Sequence, residues 1–139
     1  MIKVKLLTST AKVPTRGSEY AAGYDLYANE TIDLPPMMIS KVHTGINMSF
    51  PPNLMAKIES RSGLVARNSL FTVGGIIDSD FRGEYIVLIY NVSDKVYTLN
   101  SGERVAQLIF YHIELPSIEI VTELDDTERG TGGFGSTGK

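Results

Sequence analysis

Residues 85–115 read YIVLIYNVSDKVYTLNSGERVAQLIFYHIEL. Three runs rich in Val, Ile, Tyr and Phe (85–91, 95–99 and 104–115) are separated by Ser93-Asp94 and by Asn100-Ser101-Gly102. β-Branched and aromatic side chains suit a pleated, half-buried surface, whereas Ser, Asn, Asp and Gly close turns. Working outward, residues 41–50 and 54–59 share this composition and are set off by Pro35-Pro36 and Pro51-Pro52. Towards the two ends the apolar pattern has period two. Ile2, Val4 and Leu6 alternate with polar residues, as do Ile118 and Ile120 and, less strictly, the residues up to Leu124. Many short strands at this spacing predict an all-β domain: a sandwich, jelly roll or barrel. Only residues 63–69 suit a helix, and a short one.

The 139 residues fit one domain, large enough to bury a core without staples. The absence of cysteine excludes disulfide frameworks, thiolate metal sites and cysteine nucleophiles. A formal net charge of −3 argues against a non-specific nucleic-acid binder, which needs a basic surface. It leaves a nucleotide enzyme open, because a few placed arginines suffice. The run Met1-Ile2-Lys3-Val4-Lys5-Leu6-Leu7 is interrupted by lysines and is too short for a signal-peptide core or a membrane span. A soluble intracellular protein is therefore expected, cytoplasmic, or nuclear in a eukaryotic or viral setting. Asn29, Asn47 and Asn91 each begin an N-x-S/T sequon, which without a signal peptide is read as chance. Composition changes near Asp125: five of the fifteen residues from there on are glycine, and Phe134 is the one large apolar side chain. Such a segment cannot offset its own ordering entropy. The expected organisation is a folded domain over residues 1–124 and a flexible arm over 125–139. By composition the arm reads as a disordered terminus, although one arginine, one ring and hydroxyls among glycines also suit a segment that folds over a ligand.

Four further segments carry chemistry. In Gly74-Gly75-Ile76-Ile77-Asp78-Ser79-Asp80-Phe81-Arg82-Gly83-Glu84, the paired glycines suggest close backbone approach or a bulge. On a strand, Asp78 and Asp80 would share a face, fit to hold Mg²⁺ or to supply a base; a solvated hairpin explains them equally simply. Ser60-Arg61-Ser62-Gly63 places a guanidinium and hydroxyls at a strand-to-helix step, which suits a phosphate clamp or, more plainly, a serine N-cap. Ala22-Gly23-Tyr24-Asp25-Leu26 offers Asp25 as a partner for an arginine or as a turn residue. His43 and His112 stand in strand-like runs without a paired ligand and read as structural. The tail's Gly130-Thr131-Gly132-Gly133-Phe134-Gly135 matches G-x-G-x-x-G formally, but nothing after it can form the helix that a dinucleotide fingerprint opens. No P-loop is present.

Taken in order, AAGYDLYA (21–28), SRSGLV (60–65), GGIIDSDFRGE (74–84), GERVAQLIF (102–110) and RGTGGFGSTGK (129–139) resemble the five motifs of the trimeric dUTPase family. The resemblance covers nearly the whole chain. It implies a jelly-roll-like β-barrel subunit, a homotrimer with shared active sites, and hydrolysis of dUTP to dUMP and pyrophosphate. That reaction removes dUTP from the nucleotide pool and supplies dUMP for thymidylate synthesis. Asp78 then corresponds to the carboxylate that activates the water attacking the α-phosphorus. Gly75, Ile76 and Ile86 fall in the uracil site, and Phe81 is the ring on the deoxyribose. Arg61, Ser62, Gly63 and Gln107 correspond to triphosphate contacts, with Asp25 supporting the Arg61 region. From the arm come Arg129 for the terminal phosphate, Phe134 to stack over uracil, and Gly135 and Ser136 for further phosphate contacts. Mg²⁺ is implied on the substrate triphosphate, reached mainly through water, with no direct protein ligand.

The chain departs from the family pattern twice. Ser60 stands where proline is usual, and Phe81 where tyrosine is usual, so the ring is kept and a phenol hydrogen bond is lost. Two rivals differ in class. A related dCTP deaminase would carry a glutamate base and a Pro-Gly-Trp-like stretch in place of Ser79-Asp80-Phe81. A non-enzymatic binding protein on the same fold would be marked by loss of Asp78 or of the arm; both are intact.

Overall fold

The structure is a computed structural model, which describes residues 1–135 and residue 138. The chain runs β1 (Lys3–Leu6), β2 (Tyr24–Tyr27), β3 (Ile32–Leu34), β4 (Ile39–His43), β5 (Ile46–Ser49), β6 (Leu54–Glu59), α1 (Ser62–Asn68), β7 (Leu70–Thr72), β8 (Ile76–Ile77), β9 (Ile86–Asn91), β10 (Tyr97–Leu99) and β11 (Arg104–His112). Every strand pairing is antiparallel. One four-stranded sheet has the order β2-β11-β6-β8, a three-stranded sheet the order β4-β9-β7, and β1-β5 and β10-β3 form two-stranded ribbons. This is the expected all-β, jelly-roll-like subunit with one short helix, but among the described residues the sheets stay separate and do not close into the expected barrel.

Alternation builds the core. In β9, Val87, Ile89 and Asn91 face inward; in β6, Ala56 and Ile58 do so. All of these but Asn91 join Leu26, Val42, Ile46, Val105 and Leu108 in one apolar cluster. The strand β11 runs through the middle of its sheet, so Gln107 stands opposite Glu59 on one side and Asp25 on the other. Two of the motifs quoted above therefore meet at one register position, and Glu59 leads directly into a third.

The structure changes the expected boundaries in two places. The run 41–50 is two strands in separate sheets, because Gly45 takes a left-handed φ of 69° and turns the chain. The run 104–115 ends its ladder at His112, and residues 113–124 form no strand. Period two marks a strand face, but a ladder also needs a partner, and within the single chain Ile118 and Ile120 pair with no strand.

Asn91 is the buried polar hub of this fold. Its Nδ2 donates to the Leu34 and Lys95 carbonyls at 2.9 and 2.7 Å, and its Oδ1 accepts from the Ser93 amide at 3.0 Å. Asn91→Leu would take this partner from the buried Leu34 carbonyl and from the Ser93 amide, while the Lys95 carbonyl would keep the Ser93 hydroxyl at 3.1 Å. It should lower the unfolding free energy by about 3 kcal/mol, read from the urea midpoint. A loss below about 1 kcal/mol would mean that water replaces the amide.

Candidate active site

The first cluster lies where β2, β6 and β11 feed α1. Arg61 is the helix N-cap residue, in extended conformation, and no side chain caps the helix. This corrects the expectation of a serine cap. Ser60 turns away instead: its Oγ accepts from the Thr72 amide at 2.8 Å and shares a hydrogen bond with the Thr72 hydroxyl at 3.0 Å. Arg61 is oriented twice. Its Nε lies 3.2 Å from Asp25 Oδ1, and its Nη1 donates to the Arg104 carbonyl at 3.2 Å. Arg104 Nη1 reaches the other Asp25 oxygen at 3.5 Å. Two guanidiniums thus share one carboxylate that is only 16% exposed, while Arg104 itself is half in solvent. Ser62 and Gly63 follow as the first residues of α1, where backbone amides have no intrahelical acceptor. Gln107 closes the cluster. Its Nε2 donates to the Ser60 carbonyl at 3.0 Å, and Gly23 makes room for it, since a Cβ there would lie 2.8 Å from Gln107 Oε1. Beside these residues lies a polar cleft of about 410 Å³ that Asp25, Tyr27, Arg61 and Arg104 help to line. Arg104 was not singled out in the sequence; its signal was its place in GERVAQ beside Gln107.

The second cluster is the hairpin from β8 to β9. These strands are consecutive, yet β8 pairs with β6 and β9 with β4 and β7, so the hairpin is split between two sheets. The split opens an apolar cleft of about 310 Å³ lined by Gly75, Ile76, Phe81 and Ile86, together with Tyr85 and Lys41. Gly75 has φ 93°, and a Cβ on it would stand 2.7 Å from the Ile58 carbonyl oxygen; only glycine fits. Phe81 lies across Gly83, where a Cβ would come within 2.4 Å of the ring. Beneath it sits Tyr85, 1% exposed, its ring nearly parallel to that of Phe81 at 6.3 Å. Burial pushes the Tyr85 phenol up to about 12, so it stays neutral. Asp78 follows β8 directly and is exposed. β8 ends at Ile77 and Ser79-Asp80 form a turn, so the shared strand face expected for Asp78 and Asp80 does not exist. His43 and Glu84, not among the expected residues for this site, form a pair at 2.9 Å at the edge of this hairpin, and the carboxylate raises the imidazole above its usual 6.5.

The two clusters do not meet within one chain. Ile77 is opposite Ala56, so Asp78 heads toward Met55, while Arg61 lies past the other end of β6. Arg61 is six residue steps along the chain from Met55, roughly 20 Å at strand rise. Among the described residues the arm meets neither cluster. Phe134 is fully exposed, and Arg129 Nε donates to the Gly132 carbonyl at 2.9 Å. Gly135 has a left-handed φ of 86° and open space around it. Ser136 lies outside the described residues.

The guanidinium–hydroxyl–amide step offers an anion site, and the split hairpin offers an apolar cleft with a carboxylate at its lip, two features that together suit a nucleotide. The comparisons narrow the class. The dUTPase family model matches residues 9–138. The chain is 45% identical to the deoxyuridine 5'-triphosphate nucleotidohydrolase of Yarrowia lipolytica, over 99% of this chain and 88% of that one. It is 44% identical to that of Paramecium bursaria Chlorella virus 1, over 97% and 96%. With the human mitochondrial enzyme identity is 45%, over 96% of this chain and 53% of the human one. Among solved structures, a mutant dUTPase of Staphylococcus bacteriophage 80alpha with dUpNHpp superposes with a TM-score of 0.90 at 28% identity, covering 100% and 99% of the two chains. The chain belongs to the dUTPase family.

Proposed function

We propose that the protein hydrolyses dUTP to dUMP and pyrophosphate in active sites shared between copies of the chain. The split hairpin carries this reading: the residues expected at uracil and deoxyribose line one cleft of nucleoside size. Backbone N–H and C=O groups along Gly75, Ile76 and Ile86 pair with uracil. Cytosine would put a donor against a donor there and leave buried groups unpaired. Phe81 covers the deoxyribose face where a ribose hydroxyl would sit. Arg61, Ser62, Gly63 and Gln107 hold the triphosphate, and the Asp25 pairing keeps the Arg61 guanidinium in place before substrate arrives. Asp78 orients a water and draws its proton as the oxygen attacks the α-phosphorus; the α–β bridging oxygen leaves with pyrophosphate.

Mg²⁺ arrives on the triphosphate and offsets its charge. Among the described residues no three His, Asp or Glu converge on a cage, and both Asp25 oxygens already face arginines. That donor set fits a cation which keeps most of its water and reaches the protein through it. A dUTPase of Staphylococcus phage phi11, 26% identical with a TM-score of 0.83 and covering 91% and 99% of the two chains, coordinates a structural Mg(II) ion.

An assembly of copies, a homotrimer by family resemblance, is supported by what the single chain leaves undone. Asp78 and Arg61 sit at opposite ends of β6. Leu115, Ile118, Ile120 and Leu124 are 75 to 96% exposed, an apolar row that a second copy would cover. The arm, residues 125–139, then crosses to another copy's site, bringing Arg129, Phe134, Gly135 and Ser136. No helix among the described residues is long and apolar enough to cross a membrane. The reaction places the protein with the soluble nucleotide pool, in cytoplasm, nucleus or organelle.

The deciding assay is pyrophosphate release with Mg²⁺ from dUTP, dCTP, dTTP and UTP at equal concentration. Release from dUTP should exceed the others by about 100-fold or more. Deamination of dCTP would favour the deaminase rival. No release from any of them would leave a binding protein on this fold.

A further inference from the structure

The loop from Asp78 to Gly83 carries both the proposed base and the proposed sugar ring, yet it holds itself up poorly. Its internal bonds are Phe81 N–H to the Asp78 carbonyl at 3.2 Å, and Arg82 Nη1 to the Ser79 and Phe81 carbonyls at 2.7 and 2.9 Å. What fixes its far end is the turn between β4 and β5, where each of five consecutive residues makes one bond. His43 Nδ1 meets Glu84 Oε2 at 2.9 Å, the Thr44 hydroxyl donates to the Tyr85 carbonyl, and the Gly45 amide donates to Glu84 Oε1 at 2.8 Å. The Ile46 carbonyl accepts from the Tyr85 amide at 2.8 Å, and Asn47 Nδ2 donates to the Arg82 carbonyl at 2.9 Å. The turn is itself pinned from behind. Its Gly45 carbonyl accepts from Leu7 at 2.7 Å and its His43 carbonyl from Asn29 at 2.8 Å.

We infer that residues 43–47 act as a clasp that sets sugar selectivity, with Glu84 as its main positioning residue. The clasp grips both backbone ends of Tyr85, the Tyr85 ring supports Phe81, and Phe81 fixes how closely a sugar can approach. The Glu84 carboxylate takes two of the five bonds. It also borders the nucleoside cleft, and the role inferred for it acts through Tyr85 and Phe81. The inference rests on the reading of Phe81 as the sugar-facing ring.

The test is the ratio of kcat/KM for dUTP to that for UTP in four purified full-length variants. Phe81→Ala should collapse the ratio and so validates the ring. Glu84→Ala should lower it about tenfold, since a shift of an ångström or less in a positioning group has effects of this size. Glu84→Gln keeps an acceptor for Gly45 and a donor toward His43, and should restore most of the ratio. Asp33→Ala removes a similar hydrogen bond between β3 and β10, Thr98 to Asp33 at 2.6 Å, and should leave it within about twofold. If Glu84→Ala does not fold, Asn47→Ala cuts the exposed end of the clasp and should move the ratio the same way. If Phe81→Ala collapses the ratio while the clasp variants leave it unchanged, the clasp is overturned. An unchanged ratio in Phe81→Ala overturns the reading of the ring, and the clasp with it.

Discussion

A chain truncated before Arg129 is expected to lose about 10³-fold in kcat for dUTP while keeping its melting temperature and its assembly state. The stability half follows from the arm's contacts. Among the described residues its hydrogen bonds are local, such as Gly130 to Thr127 and Gly132 to Arg129, and Phe134 buries nothing. Removing a segment that contributes nothing to the core leaves the core's stability unchanged. The activity half follows from what the body lacks. Neither cluster is covered by the described residues of the arm, and the hairpin cleft is open to solvent. A cation on the terminal phosphate and a ring over the base would exclude water and fix the triphosphate in line. Interactions of this kind are worth about 10²–10³-fold each when made chiefly in the transition state. Arg129→Ala alone should account for a large part of the loss, and Phe134→Ala should raise KM more than it lowers kcat. The check is steady-state pyrophosphate release beside light scattering and thermal unfolding of the truncated protein. Near-normal turnover would remove the arm from the mechanism. A lost assembly would show that residues 129–139 hold copies together.

How much of this was legible in the sequence depended on range. Residues 54–59 and 86–91 could be read because alternation and bounding turns are local properties, and both became strands that bury alternate residues. The helix was legible as well, displaced by one residue, but its cap was not. Ser60 and Ser62 are both good caps by type, and the choice went to Arg61 because the Thr72 strand claims the Ser60 hydroxyl from a distance. Short strands such as β3 and β7 escaped notice because three residues show no period; pairing with β10 and β9 makes them strands. At the site, the residues were named from ordered motifs, whereas their grouping was not legible. Nothing local says that Asp25 serves two arginines, that β8 and β9 separate into different sheets, or that His43 reaches Glu84, 41 positions on.

Asp78→Asn should bind substrate about as well as the natural chain and turn it over about 10³-fold more slowly. The amide keeps the size and planarity of the side chain, and Asp78 is exposed and makes no side-chain hydrogen bond among the described residues, so folding has no stake in its charge. What is lost is the proton acceptor for the attacking water, a role worth about 10²–10⁴-fold. Binding should hold or improve, because the substrate is a polyanion and the substitution removes a negative charge near it. The pattern of lowered kcat with KM equal or lower separates a group used in the transition state from one that merely holds substrate. Titration with a non-hydrolysable imido analogue of dUTP gives affinity without turnover, and single-turnover product formation gives the chemical step. Asp80 is the control. It is exposed, two residues away across the turn, and the nearest carboxylate in sequence that could stand in. Asp80→Asn should leave both constants within about threefold, the scale of a lost surface charge. If Asp78→Asn stays fully active and Asp80→Asn does not, the base has been placed one turn too early. If only the double variant fails, the water is activated by whichever carboxylate remains, and the loop supplies charge instead of one aligned group.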